Sequence, residues 1–442
     1  MHFRPSAMHA VLNEEKRKQL LQEFATMNEP YANQRQAAID VVHRFVDPSA
    51  AHTTLLNLLL IARTQSGKTG IASAIVQEFS KSRETYVPIE NIYLITGVSS
   101  KEWLDQTKSR MPPLLRGRVF HRPHLTKKFL TDLKNKQNVL IITDEIQVAA
   151  TKTQTLDRVF SDAGLTNIDH MLRNDIKLVE ITATPDGTAY DMAAWKQHGA
   201  KMIVNPGEGY TSSYDLWMQG RVRPAERLEY EPTKDHNPFE SIAEDMAQFK
   251  TPKYHIVRAS TYLNNFTQTV KNLMKAFGNT DYKYLLFDQT SKQKDINTIL
   301  QTPPAKHTFI LVKETLRCAK SLVKTHLGIL YDRILESGYV SNSTIVQSLL
   351  GRCTGYDDNG ETIIYTDIES IERYEDLWTS EFDETVSWRS KTTKPAKKQV
   401  GSNLDDGTSG EPTNAETKEK ITTSKKTFLT LTSSDMGKNP YD

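Results

Sequence analysis

The sequence predicts an α/β protein of two domains, each a mostly parallel sheet flanked by helices, with a tail that has no core. Three observations carry that reading. The 442 residues exceed what one hydrophobic core usually organises. Short apolar runs alternate with amphipathic stretches in two successive blocks, the pattern of strands joined by crossover helices. After about residue 388 the composition turns to Lys, Thr, Ser, Gly and Asp, with almost no apolar periodicity until FLTLT near the end.

The elements follow in order. Residues 1–30 read as a helical extension, because LNEEKRKQLLQEF places its apolar residues at helical spacing. The first domain is expected over 31–225, with strands at 55–62, 92–96, 138–143 and 177–183. A polar, Pro-containing passage at 221–238 reads as the junction. The second domain is expected over 226–388, with strands at 254–260, 283–289, 307–313 and 328–333, and a further candidate at 362–367. Between the first two of these lies a helix at 263–278, closed by Gly278. The basic and polar tail, 389–442, is expected to be disordered, and its opening RSKTTKPAKK reads as a solvated linker before it reads as a nucleic-acid contact. No internal repeat is apparent.

Composition narrows the classes. A hydrophobic fraction of 38% and a charged fraction of 25% suit a soluble globular chain with some disordered sequence. The net charge of +2 neither supports nor opposes a polyanionic partner. Two cysteines, Cys318 and Cys353, exclude a disulfide framework and a zinc site of four thiolates. The twelve histidines are scattered, without an HxxxH or HxH pair. The longest apolar run, near 55–61, is strand-sized, and the first residues lack the apolar core of a secretory signal. An intracellular protein without a membrane partner is expected.

The strongest local signal is LLLIARTQSGKTG, an apolar strand running into a loop and then into the helix-compatible IASAIVQEF. This is the phosphate-binding P-loop pattern with Ala62 in place of the first glycine, followed by Gln65, Ser66, Gly67, Lys68 and Thr69. Gly67 lets the backbone turn its N–H groups toward phosphate oxygens at a helix N-terminus. Lys68 offers a flexible point charge to the β and γ phosphates, and Thr69 a hydroxyl to Mg²⁺. A second signal, NVLIITDEIQ, sets Asp144 and Glu145 at the end of another buried strand. An acidic pair there is costly unless it faces a cation or water. Asp144 suits a Mg²⁺ held through water, and Glu145 suits the orientation and deprotonation of an attacking water. Taken alone, the end of a surface strand explains these carboxylates nearly as well; beside the P-loop it explains them less well.

This set resembles the superfamily 2 helicases of the DEAD/DEAH type, whose motifs I and II stand here as ARTQSGKT and DEIQ. The resemblance covers 31–378 and implies two RecA-like domains, ATP and Mg²⁺ as cofactors, and DNA or RNA as partner, with protein partners of a replication or transcription assembly also compatible. NQRQ (33–36) resembles the upstream adenine-recognition motif, with Gln36 as its reader. ITGVSSKEWLDQ (95–106) stands in the place of a motif that contacts the nucleic-acid backbone. ITATP (181–185) is similar to the motif in which Thr182 and Thr184 link the nucleotide site to the second domain. VQSLLGRCTGY (346–356) is similar to motif VI, with Gln347 on the nucleotide and Arg352 as arginine finger. The family's strand-binding path implicates Ser99, Ser100 and Lys101 in the first domain and Arg258, Arg317 and Lys320 in the second.

Some residues depart from the family pattern. One extra residue separates Gln347 from Gly351, the second arginine of motif VI is absent, and 309–324 offers Arg317 and Lys320 where a Gly-x-Asp turn is usual. Arg317 and Arg352 therefore both stand as finger candidates. The combination LRCAK…GRCTGY is similar to helicase-like proteins of large DNA viruses and bacteriophages, which would place a viral chain in host cytoplasm or a replication compartment. The expected activity is nucleic-acid-stimulated ATP hydrolysis that drives translocation or unwinding. The alternative is a P-loop ATPase that switches a protein assembly without separating strands. A nuclease-complex subunit would ordinarily carry a PD…ExK metal site, and none stands out.

Overall fold

The computed structural model describes residues 7–46, 54–96, 101–144, 160–185, 195–231, 233, 236–278, 281–288, 291, 295–313, 321–332, 342–383 and 385–386. The tail expected at 389–442 lies outside them. Among the described residues no helix is long and apolar enough to cross a membrane.

The chain divides into two compact units, Met1–Glu208 and Gly209–Arg389 in its folded part. The first unit opens with two helices, α1 (Ala7–Ala25) and α2 (Ala32–Val46). Six strands follow: β1 (Asn57–Ala62), β2 (Ile92–Thr96), β3 (Val119–Phe120), β4 (Val139–Asp144), β5 (Ile176–Thr182) and β6 (Gly199–Val204). They form one sheet in the order β3-β2-β4-β5-β1-β6. Every pairing in it is parallel. The helices between them are α3 (Lys68–Lys81), α4 (Lys101–Ser109), α5 (Pro113–Arg116), α6 (Lys127–Lys134) and α7 (Ile168–Asn174). A parallel sheet needs cover on both faces, and β1 shows it: all six residues of NLLLIA are buried.

The helical extension is part of this unit. Leu20 and Phe24 of α1 are buried, and Arg17 donates to the carbonyls of Ser80 and Lys81 at the end of α3 (3.0 and 3.1 Å). A guanidinium there satisfies last-turn carbonyls and meets the negative end of the helix dipole. Glu14 holds Arg17 from the same helix at 2.9 Å, and that hydrogen bond keeps the Glu14 carboxyl down at about 2.

The second unit repeats the architecture with β7 (Val222–Pro224), β8 (Tyr254–Arg258), β9 (Lys283–Phe287), β10 (Thr308–Val312), β11 (Leu327–Tyr331) and β12 (Ile363–Thr366). The order is β7-β12-β11-β8-β10-β9, again with parallel pairings. Its helices are α8 (Ser213–Met218), α9 (Glu240–Met246), α10 (Leu263–Phe277), α11 (Ile296–Leu300), α12 (Asn342–Gln347), α13 (Leu349–Cys353) and α14 (Ile368–Thr379). Two apolar clusters cover the sheet's faces, one around Leu216, Ile310 and Leu350, the other around Phe239, Phe309 and Tyr331. Strand alternation divides them: Ile310 belongs to one cluster, and Phe309 and Leu311 to the other. As expected, α10 ends at Gly278, whose φ of +66° suits glycine and whose N–H returns to the Met274 carbonyl.

Both sheets have the six-stranded parallel architecture, flanked by helices, expected of RecA-like domains. The second unit begins at Gly209, earlier than the boundary expected at 225/226. The residues between already belong to the second unit: Thr211 bridges to Gly355, and the passage read as a junction contains a three-residue strand that pairs with β12.

Candidate functional site

In the first unit β1 delivers the chain to the loop at the C-terminal edge of the sheet. The loop closes on itself, since the Ser66 N–H and hydroxyl both donate to the Arg63 carbonyl (3.3 and 2.6 Å). Gln65 and Gly67 carry φ of +55° and +94°, so two left-handed residues reverse the backbone just before α3. Gly67 is the N-cap and no side chain caps the helix. The first-turn N–H groups and the positive end of the dipole thus stand at the loop, where an anion satisfies them. Ser66 is buried, Lys68 and Thr69 are half-buried, and Ala62 is the buried last residue of β1.

Gln34, which the sequence reading did not single out, lies against the loop. It is 4% exposed, donates from Nε2 to the Gly67 carbonyl (3.3 Å), and accepts at Oε1 from the Tyr31 N–H (3.1 Å). A Cβ added to Gly67 would lie 2.3 Å from Gln34 Nε2, and one added to Gly70 would lie 2.6 Å from its Oε1. The amide end of the glutamine therefore occupies the space beside both glycines, and Gly67 also needs glycine for its φ of +94°. Gln36, the expected reader of adenine, instead faces solvent and donates to Asp40 (2.9 Å) along α2. The signal was present: Gln34, Ala37, Ala38, Val41 and Val42 form the buried stripe of α2, and Gln36 lies off it.

Asp144 closes β4, beside Thr96 in the register with β2. Its Oδ2 accepts from the indole Nε1 of Trp103 in α4 at 3.2 Å. Lys68, Thr69, Trp103, Thr107, Met111 and Asp144 are among the residues that line one recess at this edge. At the end of β5, Thr182 and Thr184 are fully buried; the Thr182 hydroxyl accepts from the Thr184 N–H (3.1 Å) and donates to its carbonyl (3.0 Å). Glu145 lies outside the described residues. A hydroxyl and a carboxylate on one recess are hard oxygen donors at partial coordination, which fits Mg²⁺ completed by water and phosphate oxygens. Thr69 and Asp144 would hold the ion there. Among the described residues no cluster of His, Cys, Asp or Glu competes for it.

The edge of the second sheet is built differently. Arg258, at the end of β8, donates to Asp332 Oδ1 (2.7 Å) and to the Ser348 hydroxyl (2.8 Å). Asp332 also accepts from the Leu349 N–H (3.0 Å), so it caps α13. Arg258 was expected on a strand-binding face; its charge is instead held by a carboxylate of its own domain. Arg352 is 2% exposed and donates from Nη1 to the carbonyls of Gln347 (2.9 Å) and Ser348 (2.7 Å). The finger candidate is thus folded into α12–α13, where it ties the end of one helix to the start of the next, and Gln347 meets it through its backbone.

The loop after α13 is clamped twice. Lys324 donates to the Thr354 carbonyl and to Asp357 (both 2.5 Å), and Arg221 grips Asp358 with two bonds of 2.6 and 2.8 Å. Burial pushes the Asp358 carboxyl up, but the Arg221 fork outweighs it and holds the group below the usual range. Cys353 is fully enclosed, and burial pushes its thiol up to about 12, so it is a small hydrophobe.

Of the proposed strand-binding residues, Lys101 is exposed at the first position of α4. Ser99, Ser100, Arg317 and Lys320 lie outside the described residues, as does Cys318.

No protein-family model matches the chain. It is similar to the uncharacterized protein L594 of Acanthamoeba polyphaga mimivirus, 23% identical over 355 residues that cover 76% of this chain and 84% of that one. Among solved structures it is similar to the DUF1998 helicase MrfA bound to DNA (13% identity, TM-score 0.42, 85% of this chain). The chain spans about half of that protein, 51%. A second is S. cerevisiae Dbp5 L327V bound to RNA and ADP BeF3 (11% identity, TM-score 0.41, 79% of this chain and 89% of that one). A third is RecG bound to a three-way DNA junction (12% identity, TM-score 0.40, 90% of this chain and 53% of that one).

Proposed function

We propose that this protein is a nucleic-acid-stimulated ATPase whose hydrolysis drives movement along, or unwinding of, DNA or RNA. One observation carries the reading. Lys68 and Thr69, from the loop after β1, and Asp144, from the end of β4, line a single recess at the C-terminal edge of a parallel sheet, with β5 between the two strands. Ligands of open α/β sheets bind at this edge.

Phosphate oxygens meet the first-turn N–H groups of α3 and the Lys68 ammonium. Gln34, on α2, packs against the loop and is the glutamine we assign to the nucleotide. Thr69 and Asp144 would hold Mg²⁺, which would supply neutralising charge to the phosphates when bound. Glu145 follows Asp144 directly and orients and deprotonates the attacking water. The arginine that senses the γ-phosphate is Arg352 or Arg317; Arg352 is bonded to the Gln347 and Ser348 carbonyls of its own domain.

Backbone phosphates of the strand are met by Ser99, Ser100 and Lys101 in the first domain and by Arg317 and Lys320 in the second. Such contacts position a strand without reading its bases, and affinity should fall steeply with salt.

Lys68→Ala and Glu145→Gln separate the roles. Both should lose turnover by at least about a hundred-fold, and only Lys68→Ala should also weaken ATP binding strongly. Steady-state hydrolysis and equilibrium nucleotide binding read the two effects. Hydrolysis at the wild-type rate in either variant removes the proposal.

A further inference from the structure

Asp144 takes a hydrogen bond from a helix that the ATPase reading assigns to the nucleic-acid side of the first domain. Trp103 is 6% exposed, and its neighbours on α4, Leu104 and Thr107, are 6% and 5% exposed, so this face of the helix is packed into the domain. Core packing alone would be served by a phenyl ring. An indole adds one donor, Nε1–H, which needs a partner once buried. Here the partner is the Asp144 carboxylate at 3.2 Å. Indole nitrogen is a donor only, so it cannot replace the carboxylate as a cation ligand. What it can do is fix Oδ2 and leave the rotamer of Asp144 a single setting.

We infer that Trp103 is a positioning residue of the nucleotide site, holding Asp144 so that this carboxylate meets Mg²⁺ (held through water). The inference rests on the ATPase reading of Lys68, Thr69 and Asp144. Hydrogen bonds to ligating carboxylates act on metal affinity in this indirect way, and their loss typically weakens it by about ten-fold or more.

The test uses the full chain and Trp103→Phe, which keeps the ring and deletes the donor. ADP affinity is measured with EDTA and across a Mg²⁺ titration. The variant should bind ADP like wild type in EDTA and need roughly ten-fold more Mg²⁺ for the same gain in affinity. An unaltered Mg²⁺ requirement overturns the inference. A wild-type chain that binds no nucleotide overturns the ATPase reading and this inference with it, and the wild-type measurement alone shows which has failed.

If the variant does not fold, the wild-type chain labelled with 5-fluorotryptophan answers instead. One of its five indole resonances should shift on adding ADP with Mg²⁺ but not Mg²⁺-free ADP, and Asp144→Ala should abolish that difference. If all five respond identically with and without Mg²⁺, Trp103 does not report on the ion and the inference is wrong.

Discussion

At the C-terminal edge of the first sheet Lys68, Thr69 and Asp144 face one recess; at the same edge of the second, Arg258, Asp332, Ser348 and Arg352 close on one another. Both sheets have six strands, and both orders place later strands beside earlier ones through parallel crossovers. The same architecture therefore presents its polar residues in two ways. In the first domain they are arranged around space for a ligand. In the second they are spent on the domain's own helix ends and carboxylates. A buried charge is tolerated only when paired or hydrogen-bonded, and each edge meets that requirement with a different partner.

The sharpest way to break this comparison is Asp332→Ala. Asp332 is 2% exposed and serves Arg258, Ser348 and the Leu349 N–H at once. Its loss leaves a guanidinium and a helix start without their partner, which costs about 3–5 kcal/mol in comparable buried pairs. Denaturant unfolding should show the second domain melting early, and Arg258→Ala/Asp332→Ala should be less damaged than the sum of the single changes. Additive losses would mean that the pair is not the keystone of that edge.

A smaller effect separates the two glutamines. Gln34→Ala should lower first-domain stability by roughly 1 kcal/mol and weaken ATP binding, because the loop loses its support against α2. Gln36→Ala should stay within about 0.5 kcal/mol and bind ATP normally, as surface changes do. The opposite ranking would return the nucleotide role to Gln36.

The smallest concerns pH. His255 is fully buried; its Nδ1 accepts from the Ile329 N–H (3.2 Å), so the proton sits on Nε2, which meets His307 Nδ1 at 2.9 Å. Burial holds both imidazoles below their ordinary value of 6.5, and repulsion from a neighbour lowers each further, from His307 once it is protonated for the first and from Lys253 for the second. A depressed folded value means that the unfolded chain binds protons first. Stability is therefore fully present above about pH 6.5 and is lost as pH falls toward the folded values. Unfolding midpoints between pH 7.5 and 5 should show this in the second domain, and His255→Asn should flatten the slope.

Much of this was legible in the sequence, for identifiable reasons. Strands buried on both faces, such as NLLLIA and VLIITD, announce themselves as continuous apolar runs, and the loop after β1 has a spacing that phosphate chemistry dictates. Three strands were not legible. β3 has two residues, β7 has three and ends in proline, and β6 is an edge strand, GAKMIV, that is only partly buried. Each owes its existence to a partner far away in sequence. The partners of Trp103 and Arg258 were hidden for the same reason: Asp144 and Asp332 are distant positions that only the fold brings near. Gln34 could have been found, since the helical stripe of α2 distinguishes it from Gln36.

The central claim is tested most directly by steady-state ATP hydrolysis of the full chain, alone and with single- and double-stranded DNA and RNA, alongside Lys68→Ala. The account predicts a low basal rate that at least one nucleic acid raises by about ten-fold or more, a rise that weakens as salt increases and is absent in Lys68→Ala. Hydrolysis that no strand alters would contradict it and point to an ATPase that switches a protein assembly; no Lys68-dependent hydrolysis under any condition would remove the enzyme itself.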